Sequence, residues 1–462
     1  MKLLLVNPPY PGIYREMNFQ LPPLGLLYLA AALRKHGIVP DVLDMNCRPM
    51  RKEALDVYDV VGISTDTSRF PQAAALGRWF KQRGATVVFG GPHTHFTADT
   101  LDNGVCDYVI HGEGEAVFPS LLEYIANRRT TLPACVSDLR RGVFHNNRQV
   151  CVVEDLDSLP PPARDLIAME DYRTLELGGV PVTSIITSRG CPHACSFCCS
   201  SSFSGRRVRR RSVTSVFDEL QMLVRDYGFP GIAFLDDCFL ADKGWVHRLF
   251  ERVLQAGLAI KWWCFARADT VLRFADLLDL LARSGLKYVF IGVETYSQSH
   301  LDTVGKNLQP ETVRQAVRLL KQKGIETMAS FILGYGNETL TDMLDTIRYA
   351  RSLHAGSYQF SILTPYPGTA LHRELEPRIC ETDLSRFDCM HLTYRLERLF
   401  PDEVYRLLKK AYLRTYMRPA RIAKGLVSSW RKKGVKPGYA LRLLRYLSNL
   451  YDQGDGHEEI SL

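Results

Sequence analysis

Arg189-Gly190-Cys191-Pro192-His193-Ala194-Cys195-Ser196-Phe197-Cys198 sets three cysteines in a C-x3-C-x2-C spacing, directly after the β-rich run Ser184 to Thr187. Three thiolates in one compact loop suit a four-iron cluster with one iron left without a protein ligand. Such an iron is a reaction site, because a substrate can ligate it. Zinc is the structural alternative, with Cys199 or His193 as a fourth ligand, and it is disfavoured because structural zinc cysteines come in separated pairs. The chain carries twelve cysteines. In a cytosolic protein they are expected to be reduced, so a tight cluster reads as metal binding and not as disulfides. Cys47, Cys106, Cys135, Cys151, Cys238, Cys264, Cys380 and Cys389 stand alone in sequence and are expected to act as small buried hydrophobes.

Outward from the loop, an α/β alternation runs from Thr183 to about Leu375. Strands are expected at Ser184 to Thr187, Ile232 to Leu235, Lys261 to Phe265, Tyr288 to Gly292, Thr327 to Leu333 and Gln359 to Leu363, with helix-period segments between them. Six βα units in a row predict a barrel or part-barrel whose chemistry lies at the strand carboxyl ends. Upstream, Lys2 to about Asn127 has the rhythm of a separate parallel α/β sheet. Ligands of such a sheet bind beyond the carboxyl ends of its strands. Those ends carry Asn7-Pro8-Pro9, Ser64-Thr65, Gly90-Gly91-Pro92-His93 and Gly112-Glu113-Gly114-Glu115. The plainer reading of each glycine pair is an ordinary βα turn. Residues 128 to 180 lose the rhythm and read as a linker, and 376 to 462 as a helical C-terminal region.

At 462 residues, with 46% hydrophobic and 23% charged residues, the chain has the composition of a soluble globular protein of two main domains. The start, MKLLLVNPP, is too short an apolar run for a signal peptide, and Leu24 to Leu33 is too short to span a bilayer, so a cytoplasmic protein is expected. The net charge of +8 is local: Val404 to Tyr451 holds thirteen Lys or Arg and no Asp or Glu, which leaves 45 basic against 50 acidic residues elsewhere. Leu413, Leu426, Trp430 and Tyr439 are interleaved with these charges, a composition suited to an anionic membrane surface. The plainer reading is a helical cap on the barrel with solvated charges. No recognised nucleic-acid module accompanies the charge, and no nucleic-acid partner is expected.

The cysteine loop, with Phe197 before its last cysteine, resembles the signature of the radical S-adenosylmethionine (SAM) superfamily. Further residues resemble its cobalamin-binding-domain branch: Arg209-Arg210-Arg211-Ser212 leading to Asp218-Glu219-Leu220, then Phe234-Leu235-Asp236-Asp237, Ala266-Arg267-Ala268-Asp269, Gly292-Val293-Glu294-Thr295 and Ile332-Leu333-Gly334, and the strand-end motifs of the first sheet. The resemblance covers residues 1 to about 375. It implies a Rossmann-like cobalamin-binding-type domain (1–127), a linker (128–180), a radical SAM (β/α)6 partial TIM barrel (181–375) and a helical C-terminal region (376–462). It further implies that Cys191, Cys195 and Cys198 hold a [4Fe–4S] cluster whose open iron chelates SAM, with Phe197 beside the adenine. Asp236 and Asp237 would meet the SAM amino group, Arg267 and Glu294 its carboxylate and ribose, and Ile332, Leu333 and Gly334 the adenine. A rim ion pair between Arg267 and Glu294 is the structural alternative. Cobalamin would lie on Ser64, Thr65, Gly90 and Gly91.

Two departures stand out. The family's Gly-x-Pro-Gly-Glu after the fifth strand is here Gly334-Tyr335-Gly336-Asn337-Glu338, and the first domain has no D-x-H-x-x-G, so no protein histidine is expected on cobalt. The chemistry implied is reductive cleavage of SAM to a 5′-deoxyadenosyl radical, followed by cobalamin-dependent methylation of an unactivated carbon. Cyclisation or rearrangement in the same site is the alternative reading, and a zinc-stabilised binding protein a third. Methylthio transfer is disfavoured because the cysteines before the barrel are far apart. The expected partners are a small-molecule substrate, hydrophobic if the basic region meets a membrane, and a low-potential electron donor such as flavodoxin or ferredoxin.

Overall fold

Leu3–Asn7 is buried along its whole length, as a strand covered by helices on both faces must be. The computed structural model describes residues 1–17, 19–48, 58–98, 101–141, 150–417 and 446. In it Leu3–Asn7 pairs in parallel with Asp41–Asp44 on one side and Val60–Ser64 on the other, and Thr86–Gly90 and Tyr108–Ile110 extend the sheet. Alternation of side chains assigns the two cores. Leu4, Val6, Ile63 and Phe89 pack under the helix Phe70–Lys81, while Leu3, Leu5, Val60 and Val88 pack under Leu24–Lys35 and Phe118–Ile125.

The stretch read as a linker is tied into both sheets. Val136–Asp138 adds an antiparallel edge strand beside Tyr108–Ile110, too short for its pattern to show in the sequence. Tyr172 is buried and donates to Asp44 Oδ2 at 2.8 Å. Arg164 has no exposed surface and pairs with Glu219 of the second domain at 2.7 Å.

Two cysteine expectations are corrected here: Cys380 is exposed, and Cys135 and Cys151 form a disulfide. The reason for the disulfide is topological. Val136 pairs with Ile110, and Cys151 bridges Gly112, so both cysteines lie along the same strand, with Cα atoms 6.0 Å apart and within disulfide reach.

In the second domain, Val180–Ile185, Gly231–Phe234, Lys261–Ala266, Leu286–Glu294, Glu326–Leu333 and Ser357–Ile362 pair in parallel, each with the next. Glu176–Leu177 closes the outer edge of the first strand, and no pairing joins the first strand to the sixth, so the curled sheet is a partial barrel. Its convex face carries the core. Ile185, Phe234, Trp262, Ile291, Phe331 and Phe360 lie under the outer helices, and Trp262 stacks on Phe250 at 4.2 Å. The helix Pro401–Tyr416 packs Val404, Leu407, Leu408 and Ala411 into this core, and Tyr412 and Tyr416 each exchange two hydrogen bonds with the backbone of the sixth strand, at Phe360 and Tyr358. Its cap role is therefore real for the described part. Residues 418–445 and 447–462 of the basic segment lie outside the described residues.

Candidate functional site

The cysteine loop leaves the first barrel strand through the pair Ser188–Arg189, which is antiparallel to Arg209–Arg210. Gly190 follows with φ of 97°, and a Cβ there would lie 2.3 Å from the carbonyl oxygen of Arg207, so only glycine makes this turn. The loop is then pinned from several directions. Cys191 N–H donates to Gly205 at 3.1 Å, Ser196 N–H to Val304 at 2.9 Å, and the Ser196 carbonyl accepts from Leu371 at 2.9 Å. All three cysteines are half-buried.

A hydrogen bond with Cys238 holds the Cys191 thiol above its ordinary range, and burial does the same for Cys195 and Cys198, with Lys306 and Arg267 pulling Cys195 back down. These thiols need a cation to become thiolates, which bound iron supplies. Among the described residues no three His, Cys, Asp or Glu side chains converge on one point, as a single ion requires; in a four-iron cluster each thiolate takes its own iron. Cys199 is the N-cap of the short helix Ser200–Phe203, its thiol pushed up to about 11 by burial.

The strand-end residues divide into those that are occupied and those that are open. Asp236 is buried and accepts from Thr187 Oγ1 at 2.7 Å, Ser188 Oγ at 2.5 Å and the Thr187 N–H at 3.1 Å, so it fastens the start of the loop to the second strand. Asp237 is exposed, and its charge bears on Cys198 and Cys199. The Arg267–Glu294 pair weighed from the sequence does not form. Arg267 binds Asp269 at 3.1 Å and the Lys306 carbonyl at 2.8 Å, and Glu294 binds Lys306 Nζ at 2.5 Å. Glu294 sits after a register shift in the fourth strand, with φ of 68°, which folds its carboxylate back over Gly292. Lys306 is a site residue that sequence reasoning missed. Its one local signal is the Gly305-Lys306 pair that ends the helix Gln298–Thr303.

Phe197 and Ile332 pack together with Val304, Tyr335, Leu371 and Tyr394, which joins the cysteine loop to the fifth strand. Leu333 is turned into the convex core. Gly334 has φ of 88°; its N–H donates to Glu338 Oε2 at 2.6 Å, the Tyr335 N–H donates to the same oxygen at 3.0 Å, and its carbonyl accepts from Tyr394 Oη. Glu338 thus closes the turn that departs from the family pattern. Burial pushes its pKa up to about 8. A raised carboxyl pKa means that its stabilisation is full below its unfolded value near 4.3 and is lost as the pH rises through about 8. Glu338→Gln is expected to flatten the decline of the unfolding midpoint between pH 5 and 9. Glu338→Ala leaves two amides unpaired and should cost about 1–3 kcal/mol below about pH 4, where the carboxyl is neutral in both states, and less as the pH rises. Parallel pH profiles for wild type and the Gln variant in thermal melts would refute the assignment.

At the first sheet, Thr65 is buried and its N–H donates to the Gly90 carbonyl at 3.0 Å. Gly91, with φ of 99°, lies so close to Thr65 that a Cβ would meet the Thr65 carbonyl oxygen at 2.4 Å. Gly91 and Thr65 therefore build the turn, whereas Gly90 has nothing within 4 Å of where its Cβ would be, and Ser64 is half-buried. Asn7 is occupied: it donates to Asp44 at 2.9 Å and accepts from Arg69 at 2.6 Å. His93 is buried against Thr67 Oγ1 at 3.2 Å, and burial lowers its pKa to about 4, so the ring is neutral.

The Gly112-Glu113-Gly114-Glu115 loop reaches the cysteine loop itself. Glu113 takes a fork of two bonds from Arg209 at 2.7 and 2.8 Å, Arg189 lies 3.3 Å from the same carboxylate, and Arg189 pairs with Glu115 at 2.7 Å. Phe96 against Gly368 and His95 near Phe203 complete the contact. The carboxyl ends of the two sheets thus face one another across the cysteine loop.

Comparison with known proteins agrees with this arrangement. Residues 11–122 match the B12 binding domain and residues 185–350 the Radical SAM superfamily. An uncharacterised methyltransferase of Pyrococcus horikoshii is 32% identical over 92% of this chain and 95% of its own length. The chain belongs to the cobalamin-dependent radical SAM methyltransferase family. An anaerobic magnesium-protoporphyrin IX monomethyl ester cyclase of Synechocystis is 25% identical over 91% of this chain and 86% of its own. The solved structure of OxsB, a cobalamin-dependent SAM radical enzyme with aqua-cobalamin and SAM bound, shares the fold with a TM-score of 0.73 and 16% identity, over 98% of this chain and 71% of OxsB.

As a member of this radical SAM family the chain uses a [4Fe–4S] cluster, SAM and cobalamin. The residues present fit the groups. Ser196 Oγ, beside Phe197 in the loop, and Tyr335 Oη, in the cluster that Phe197 packs against, are buried without a hydrogen-bond partner, as polar edges of an adenine would require, and Gly90 fronts open space at a strand end.

Proposed function

We propose that Cys191, Cys195 and Cys198 hold the cluster, that Phe197 and Ile332 bracket the adenine of SAM, and that Arg267, Glu294, Lys306 and Asp237 address its polar groups. Cobalamin lies over Ser64, Thr65, Gly90 and Gly91, and the enzyme methylates an unactivated carbon of a small-molecule substrate. The observation that carries this is the facing of the two sheets' carboxyl ends across the cysteine loop, held by the ion pairs of Glu113 and Glu115 with Arg189 and Arg209. Bound together there, the three groups supply one-electron cleavage of SAM and a methyl group carried on cobalt. The chain's own residues hold and shield; Lys306, Arg267 and Glu294 form a charged rim that fixes the polar end of SAM. Electrons come from a low-potential carrier of flavodoxin or ferredoxin type.

The experiment is product stoichiometry with anaerobically reconstituted enzyme and candidate substrates. Each methylated product should appear with one S-adenosylhomocysteine and one 5′-deoxyadenosine. Altered substrate with 5′-deoxyadenosine alone would instead favour ring closure, the activity named for the cyclase relative.

The basic C-terminal segment supports contact with an anionic membrane from the cytoplasmic side. The helix Pro401–Tyr416 buries its apolar face on the barrel and leaves Arg406 and Arg414 exposed, with Met417 57% exposed at its end. No helix among the described residues is long and apolar enough to cross a membrane. Co-sedimentation with anionic liposomes, released as salt shortens the screening length to about 3 Å at 1 M, is the expected result; equal recovery in the supernatant at low salt would leave only the cap.

A further inference from the structure

The concave face of the partial barrel has its own chemistry, and strand register resolves it into layers. Trp263 is level with Ala233 on one side and Tyr288 on the other, and Phe265 is level with Phe290, which is level with Met328. Each alternates with a residue buried in the convex core: Trp262, Cys264, Val289, Ile291 and Ala329. The two adjacent tryptophans therefore point to opposite sides of the sheet, Trp262 onto Phe250 and Trp263 onto Tyr288, at 5.1 Å and 13°. Phe265 meets Trp263 at 5.2 Å and Phe290 at 4.9 Å.

In a closed barrel, inward side chains fill the interior. Here Trp263, Phe265, Tyr288, Phe290 and Met328 all stay half-buried, a connected aromatic surface left partly open. Contiguous open apolar surface inside a fold marks a binding site. At about 3.3 Å per residue, Phe265 lies about 7 Å below Arg267 and Phe290 about 13 Å below Glu294, so the wall runs up to the charged rim.

We propose that this wall is the substrate site and that it takes an uncharged, flat, hydrocarbon-rich molecule, its reacting carbon presented at the rim. No ionisable side chain occupies the Phe265 layer. Apart from the Tyr288 phenol, the Trp263 layer has only Glu326, exposed at the start of its strand and lying against Gly356. A charge on the substrate would therefore be buried unpaired, at a cost no contact here offsets. The Trp263 Nε1–H and the Tyr288 hydroxyl make no hydrogen bond with the described residues, so one or two acceptors or hydroxyls on the molecule would be matched.

The inference rests on the placement of the cofactors at the rim, and its test separates the two. Equilibrium dialysis of the full chain, loaded with cluster and cobalamin, uses 1-aminoanthracene as a neutral planar probe. Saturable binding of one probe per chain is expected. Trp263→Ser and Phe290→Ser should each weaken it at least about tenfold, the factor for losing one buried ring. Phe290→Leu, which keeps the wall apolar, should stay within about threefold. All three variants should keep their iron and form 5′-deoxyadenosine from SAM with dithionite, which reports the cofactor site independently. Unchanged probe binding in both serine variants, or equally tight binding of anthracene-2-carboxylate, would overturn the proposal.

Discussion

Alanine at Cys191, Cys195 or Cys198 is expected to abolish 5′-deoxyadenosine formation and to reduce bound iron from about four per chain to near zero. The loop that carries all three is pinned by Gly205, Val304 and Leu371, so the loss of one thiolate leaves the cluster a ligand short. Cys199→Ala should keep both iron and activity, because three thiolates already hold the cluster and the Cys199 side chain makes no cap hydrogen bond. Cys238→Ala is the informative control. Its thiol touches Cys191, but it lies on the second strand's exit and not on the loop, so the cluster should survive its loss. Iron analysis and chromatography of reduced protein with SAM decide the matter. Full activity in any one of the three loop variants, or zinc in place of iron, would reject the cluster.

The second large effect is on stability. Glu219, on the helix Val213–Arg225, is buried between Arg164, at 2.7 Å, and Arg211. Arg164 also donates to the Ser184 carbonyl at 2.9 Å, and Arg211 to Tyr28 Oη at 3.0 Å, so this group joins the linker, the first domain and the barrel. Removing the carboxylate leaves two guanidiniums buried without a counter-charge. Losing one partner of a buried pair costs about 3–5 kcal/mol. With ~2–4 °C per kcal/mol for larger domains, Glu219→Ala should lower the unfolding midpoint by on the order of 10 °C. A drop below about 2 °C in calorimetry would show that the guanidiniums find other partners.

Much of this was readable in the chain, for local reasons. Strands buried on both faces announce themselves as apolar runs, and the cysteine loop carries its chemistry within ten residues. What the sequence concealed is long-range pairing. Arg267 and Glu294 both stand at strand ends, yet each found a different partner, because the bulge before Glu294 turns it toward Lys306, twelve positions on. Asp236 and Asp237 are adjacent and look equivalent; the pleat buries one under Ser188 and exposes the other. Cys135 and Cys151 meet only because both flank one strand. The GEGE loop was legible as a strand end, but its carboxylates serve the neighbouring domain.

That last contact makes the two modules inseparable in a way their sequences do not advertise. Glu113 is 6% and Glu115 8% exposed, and Arg209 is 5% exposed beside them. A cut through the linker would leave one fragment with two stranded carboxylates and the other with two stranded guanidiniums. Neither half should express as a well-behaved protein. A chimera drawing its first domain from one relative and its barrel from another inherits a working enzyme only when both glutamates and both arginines travel together.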